Sequence, residues 1–179
     1  MAHRHNGIDN KFSVKNTQKA AEAALAFEFS GNPCKKFTSG RFSQLENILQ
    51  MVAGLMELSA RTAPKTAGQD YVVSKVISGA DLLSLAEAME RYGQEQGRTN
   101  YDRDANNIRS SGAVLLLGLE EAKPAGLNCG ACGKNKCGEL IAREGTEFKG
   151  PLCAWRLIDL GIALGSAAKT ASILNADNR

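Results

Sequence analysis

Four cysteines carry the chemistry that this chain can do: Cys129, Cys132, Cys137 and Cys153, spaced C-x2-C-x4-C-x15-C. Four thiolates that converge on one point suit a [4Fe–4S] cluster. They equally suit a closed structural zinc. Structural zinc sites usually pair two short knuckles, C-x2-C with a second C-x2-C or an H-x3-H. Here three cysteines fall together and the fourth is distant, an arrangement typical of cluster loops. The spacing therefore favours an iron–sulfur cluster. Zinc is the alternative, and thiol redox chemistry a third reading.

The surroundings of the cysteines fit the same chemistry. Glycines 126, 130, 133, 138, 145 and 150 lie between or beside them, which lets the backbone turn tightly and brings N–H groups near sulfur. Such N–H···S contacts set a cluster's reduction potential. The run Cys137 to Glu144 reads as a short helix whose N-terminal dipole would favour thiolate charge at Cys137. Lys134 and Lys136 add positive charge beside a centre that would be net negative. Pro151 stiffens the approach to Cys153.

These residues need a scaffold. Residues 17–29 are rich in helix formers, and Gly31-Asn-Pro33 ends them. A polar loop then runs to about Gly40. The clearest helix is expected over 44–61, with Ser43 and Glu46 as a capping box. Leu45, Ile48, Leu49, Val52, Leu55 and Met56 recur at helical spacing and read as one buried stripe. Met51 and Met56 read as core packing. Ala63-Pro64 stops this helix.

Residues 71–77 have β-branched, strand-like composition. A second amphipathic helix follows Gly79, with Leu82, Leu85, Ala86 and Met89 on one face and Gly93 closing it. A polar loop to Asp104 and a short helical piece at 105–110 lead to Ala113-Val-Leu-Leu-Leu117, which suits a strand buried on both faces. The last helix, about 154–174, is apolar almost all round and so is expected to be central. Gly161 and Gly165 share one of its faces and read as the seat of a neighbouring helix, with a flat cofactor as the sharper alternative.

That order of elements implies an α+β (mixed α/β) fold, a helix-rich scaffold around a small sheet with an inserted glycine-rich four-cysteine loop. The expected organisation is an N-terminal extension with one helix over 1–42, then one domain over 43–179 with the cluster-binding segment at 126–153.

Composition excludes several function classes. Apolar residues make up 43% and charged residues 23%, which fits a soluble globular protein rather than a disordered chain. The net charge of +3 is too small to argue for nucleic acid, and it resides in residues 1–42, with seven Lys/Arg against three acids. No run approaches a membrane span and no signal-peptide core opens the chain, so a cytoplasmic address is expected. Five cysteines in a reducing compartment argue for metal or redox chemistry rather than disulfides. Cys34, remote in sequence, is expected to be a free thiol. His3 and His5 lie in what reads as a frayed terminus, which leaves no Ser–His or Cys–His triad. No phosphate-binding loop or dinucleotide fingerprint occurs. Asp70, Asp81 and Glu87 read as loop or surface residues.

The run Cys129-Gly-Ala-Cys132-Gly, with Cys137 and Cys153, resembles the four-cysteine module of corrinoid iron–sulfur proteins and electron-transport ferredoxin subunits. That resemblance implies that the four matching cysteines hold a [4Fe–4S] cluster. From about residue 44 onward the chain also resembles a family of uncharacterised proteins described only as containing a ferredoxin domain. The matching stretches are Ala60-Arg-Thr-Ala-Pro-Lys-Thr-Ala-Gly-Gln-Asp70, the cysteine segment, Gly150-Pro-Leu-Cys153 and Asp159-Leu-Gly-Ile-Ala-Leu-Gly-Ser-Ala-Ala-Lys-Thr-Ala171. This resemblance implies a cluster and a cytosolic, often anaerobic, setting, but no particular reaction. Members of that family continue past the residues that match Asp177-Asn-Arg179, whereas this chain carries a longer N-terminal extension.

The order of elements around Arg61-Thr-Ala-Pro64 and Asp159-Leu-Gly161 is also similar to the nitroreductase scaffold, in which such positions contact FMN, typically in a dimer. By that analogy Arg61 and Lys65 are candidates for a flavin phosphate, and a homodimer is expected. The plainer reading is that Arg61 ends a helix, where a cation complements the dipole.

The function expected from these residues is single-electron transfer between the cluster and a protein partner. The alternatives are an FMN-dependent reductase fed by the cluster, and a zinc-stabilised interaction domain without redox activity. Neither nucleic acid nor a membrane is an expected partner.

Overall fold

In a computed structural model the chain is described over residues 25–30, 39–145 and 147–179. The expectations for residues 1–24, including His3 and His5, and for Cys34 lie outside the described residues. The elements run β1 (Leu25–Ser30), α1 (Ser39–Thr62), β2 (Val72–Ile77), α2 (Ala80–Gln96), α3 (Asn100–Ser110), β3 (Ser111–Leu119) and α4 (Ala154–Ile173). The fold is α+β, as the order of elements implied. No helix among the described residues is long and apolar enough to cross a membrane.

The sheet has order β1-β3-β2, and both pairings are antiparallel. Its centre is the apolar run expected to be buried on both faces, and Ala113, Val114, Leu115, Leu116 and Leu117 are indeed all buried. Side chains alternate across a strand. Ala113, Leu115 and Leu117 therefore join Val52, Ala53, Met56, Ala60, Leu160, Ala163 and Ala167 of α1 and α4. Val114 and Leu116 join Leu82, Leu85, Ala86, Ala105 and Ile108 of α2 and α3. The molecule is thus a helix pair, a sheet and a second helix pair.

Several expectations are corrected. Residues 25–30, five of which lie in the stretch read as helix-forming, are an edge strand paired from Leu25↔Leu117 to Ser30↔Ser111. Leu25, Phe27 and Phe29 alternate with Ala26, Glu28 and Ser30, so pairing overrides a weak helix propensity. The segment 1–42 therefore supplies a strand to the sheet. Because α1 begins at Ser39, Ser43 and Glu46 lie within the helix rather than at its start.

The expected stripe of α1 is only partly buried. Val52 and Met56 are inside, whereas Leu45, Ile48, Leu55 and Met51 are exposed, Met51 at 67%. The end of α1 at Thr62, just before Ala63-Pro64, is as expected.

Gly93 lies within α2 rather than closing it. A Cβ there would stand 2.6 Å from Tyr101 Cβ, so the residue admits α3. The helix ends at Gly97, which has φ 64°. The stretch read as a loop to Asp104 already contains the start of α3. Finally, α4 is not central: Trp155, Leu157, Ile158 and Ile162 are exposed. A Cβ at Gly161 or Gly165 would meet nothing within 4 Å, so among the described residues no neighbouring helix sits on them.

Candidate metal centre

The loop between β3 and α4 gathers the cysteines. The backbone N–H of Gly133 donates to Gly130 C=O at 2.8 Å and closes a turn between the first two cysteines. Gly130 and Gly133 have φ of 75° and 80°, conformations that a side chain resists. Asn128, also left-handed at φ 48°, clamps the third cysteine. Its N–H donates to Cys137 Sγ at 3.3 Å, while its Oδ1 accepts the Cys137 N–H at 2.8 Å.

Beyond Cys137 the chain makes a single 3-10 turn, Cys137–Glu139, not the helix expected over 137–144. One turn without a packed face does not propagate, and the following residues are drawn into a bridge instead. Arg143 N–H donates to Gly150 C=O at 2.7 Å, and Gly150 N–H returns to Arg143 C=O at 2.9 Å. An ion pair between Glu147 and Arg98 fastens this arm to the end of α2. The chain then passes through the cis Gly150–Pro151 bond to Cys153.

The helix that does begin at a cysteine is α4. Cys153 is its N-cap, is buried, and accepts from the N–H groups of Arg156 at 3.0 Å and Leu157 at 3.2 Å through its carbonyl. The positive end of a long helix therefore stands at the fourth cysteine rather than the third. One turn on, Trp155 Nε1 lies 3.4 Å from Cys129 Sγ and donates to it. The backbone N–H of Ala131 and then the Trp155 indole hold the Cys129 thiol below its ordinary range, against a smaller opposing effect of burial.

All four cysteines line one concavity, together with Leu127, Lys134, Leu140 and Trp155. Among the described residues, no group of three or more His, Cys, Asp or Glu is placed to hold a single ion. The donor set, four thiols with N–H groups aimed at two of the sulfurs, fits a polynuclear iron–sulfur centre.

Beneath this concavity lies a buried ion pair that sequence reasoning missed. Arg156 and Asp159, one turn apart on α4, are almost fully buried and 3.1 Å apart. Arg156 Nε donates to Lys123 C=O at 2.9 Å, Nη1 donates to Thr66 C=O at 3.1 Å, and Nη2 donates to Gln69 Oε1. The guanidinium also lies 4.7 Å from the Tyr71 ring. Asp159 Oδ1 accepts the Thr66 N–H at 2.7 Å and the Thr66 hydroxyl at 2.8 Å. Burial alone would raise the Asp159 pKa, but Thr66 and Arg156 together bring it below the ordinary range. The pair fixes the entry to the cysteine loop, at Lys123, against α4. Its signal in the sequence was two opposite charges spaced i, i+3 in the otherwise apolar first half of α4.

Arg61 and Lys65 lie at the C-terminal end of α1. Lys65 Nζ donates to the carbonyls of Ala60 at 2.9 Å and Ala63 at 2.8 Å, and its side chain is only 4% exposed. Arg61 donates to Val72 C=O and pairs with Asp70 at 3.5 Å. Lys65 thus satisfies carbonyls at the end of α1, whereas Arg61 ties that end to β2 and to Asp70.

Fold and site together define a helix-rich α+β domain with an inserted four-cysteine loop. The chain is 42% identical over 133 residues to an uncharacterised protein of Archaeoglobus fulgidus, an alignment that covers 73% of this chain and 72% of the relative. A family model described as an uncharacterised protein containing a ferredoxin domain matches residues 149–179, the stretch that holds Cys153 and α4. The chain belongs to this ferredoxin-domain family. No solved structure matches it.

Proposed function

We propose that Cys129, Cys132, Cys137 and Cys153 hold one [4Fe–4S] cluster and that the protein exchanges single electrons with a protein partner. The observation that carries this reading is the convergence of all four thiols on one concavity, with N–H donors at two of the sulfurs. The C-x2-C-x4-C-x15-C spacing suits a cluster loop better than the paired knuckles usual for structural zinc. When bound, the cluster supplies a one-electron couple.

The chain's own residues would do the rest. Asn128 and Trp155 donate to sulfur, and the α4 N-terminus faces Cys153. Arg156 with Asp159 holds the loop's root in place. Lys134 and Lys136, both exposed, would steer an acidic partner toward the loop.

The test is anaerobic purification with iron, acid-labile sulfide, zinc and flavin quantified per chain. About four irons and four sulfides are expected, as a cubane requires. Cys132→Ala abolishes bound iron, whereas Cys34→Ala leaves it unchanged. Stoichiometric zinc without iron or sulfide overturns the redox reading, and equal iron loss from both variants overturns the ligand assignment.

A further inference from the structure

The four sulfurs do not receive their hydrogen bonds in the same way. Cys137 takes a backbone N–H, from Asn128, which no side-chain substitution deletes. Cys153 caps a helix. Cys129 takes a backbone N–H from Ala131 and, in addition, a side-chain donor, the indole of Trp155, at 3.4 Å. An indole N–H only donates, so the sense of this bond is fixed with sulfur as acceptor. The ring is 37% exposed and lines the same concavity as the four thiols. It also spans the motif, reaching from the first turn after the fourth cysteine back to the first.

We infer that Trp155 is a positioning residue that raises the reduction potential of the centre held by the four cysteines, through its indole N–H to Cys129 Sγ. This inference rests on the cluster reading above. Reduction adds one electron to the centre and breaks no bond. The added negative charge spreads onto the sulfurs, and a donor at sulfur therefore stabilises the reduced state more than the oxidised one. Deleting the donor leaves the four ligands in place and shifts only that equilibrium.

The experiment compares the parent with Trp155→Phe, both reconstituted anaerobically as full chains, by iron and sulfide per chain and by a mediator-coupled redox titration. Equal loading is expected, with the ratio of oxidised to reduced centre at a fixed poise raised roughly three- to tenfold in the variant, the size of an ordinary net hydrogen bond. Trp155 is the only tryptophan. Biosynthetic replacement of tryptophan by its benzothiophene isostere therefore deletes this one N–H and keeps the ring shape, and the same shift is expected there.

A loaded variant or isostere that titrates with the parent overturns the inference. So does a parent that loads while both altered proteins fail to, since the N–H would then build the site rather than tune it. A parent without iron overturns the cluster reading itself, a result separable from the others.

Discussion

In the layer formed by α1 and α4 the key charges lie inside and many large apolar side chains lie outside; in the layer formed by α2 and α3 the order is reversed. The first layer packs alanines against the sheet, Ala53, Ala60, Ala163, Ala167 and Ala171, and encloses Arg156 with Asp159. It exposes Ile48, Met51, Leu55, Leu58, Ile158 and Ile162. The second layer turns Leu82, Leu85 and Ile108 inward and exposes Glu87, Arg91, Asp102 and Arg109. Small residues let α1 and α4 approach the sheet closely. The buried charges spend their hydrogen bonds on two irregular segments, 66–69 and the chain at Lys123, that no regular element would satisfy. The layer that carries the cysteine loop is therefore built as an anchor for loops, and the other as an ordinary amphipathic cover.

The sharpest way to break this contrast is to remove one charge from each layer. Arg156→Ala leaves Asp159 buried without its partner and frees the carbonyls of Thr66 and Lys123. A loss of about 3–5 kcal/mol is expected in chemical denaturation. Arg156→Lys rescues little, because an ammonium lacks the planar fork that reaches four separate groups. Arg109 grips Glu90 through both guanidinium nitrogens on the outer face of the second layer, where solvent screens the pair. Arg109→Ala is expected to move the unfolding midpoint little. Comparable losses from the two variants would erase the distinction.

Acid probes the same buried pair without mutation. The folded-state pKa of Asp159 is depressed, so its contribution is present above the ordinary aspartate range near pH 4. It is lost as pH falls from there through the depressed value. Denaturant midpoints of the parent should decline over that window, and those of Asp159→Asn should decline less steeply, from a lower starting stability.

Two methionines sharpen the comparison within one helix. Met56 is fully buried and Met51 is 67% exposed. Met56→Ala is expected to cost about 2–5 kcal/mol. Met51→Ala should stay within about 0.5 kcal/mol of the parent. Similar losses at both positions would mean that the outer face of α1 is covered in solution.

These contrasts also explain which features were legible in the sequence. Helical periodicity located α2, β-branched composition located β2, and unbroken apolar runs located β3 and α4. Periodicity misjudged α1, where apolar residues occur on more faces than the core can cover and the larger ones point away from the sheet. Edge strand β1 was hidden under helix-forming residues, since a strand's partner lies far off in sequence. The cysteine spacing pointed to the candidate site. Which residues dress the sulfurs, Asn128 and Trp155, depends on loop geometry that spacing does not encode. The helix dipole was assigned to Cys137 because a favourable composition followed it, yet only α4 has a packed face long enough to sustain a helix there.

Two glycines give modest effects of opposite sign. Gly93 lies where α2 and α3 touch, and a methyl group there would collide with Tyr101 Cβ at 2.6 Å and crowd Arg98 C=O at 3.1 Å. Neither neighbour is the far end of a flexible side chain, so Gly93→Ala is expected to destabilise by about 1–3 kcal/mol. Gly161 lies in the middle of α4 with open space where its Cβ would stand. Alanine there gains helix propensity and loses no contact, and Gly161→Ala should stabilise by about 0.5–1 kcal/mol. Urea midpoints measured side by side decide the matter. A stabilised Gly161→Ala protein confirms that this face of α4 meets only solvent, whereas a destabilised one means that something stands against those glycines after all.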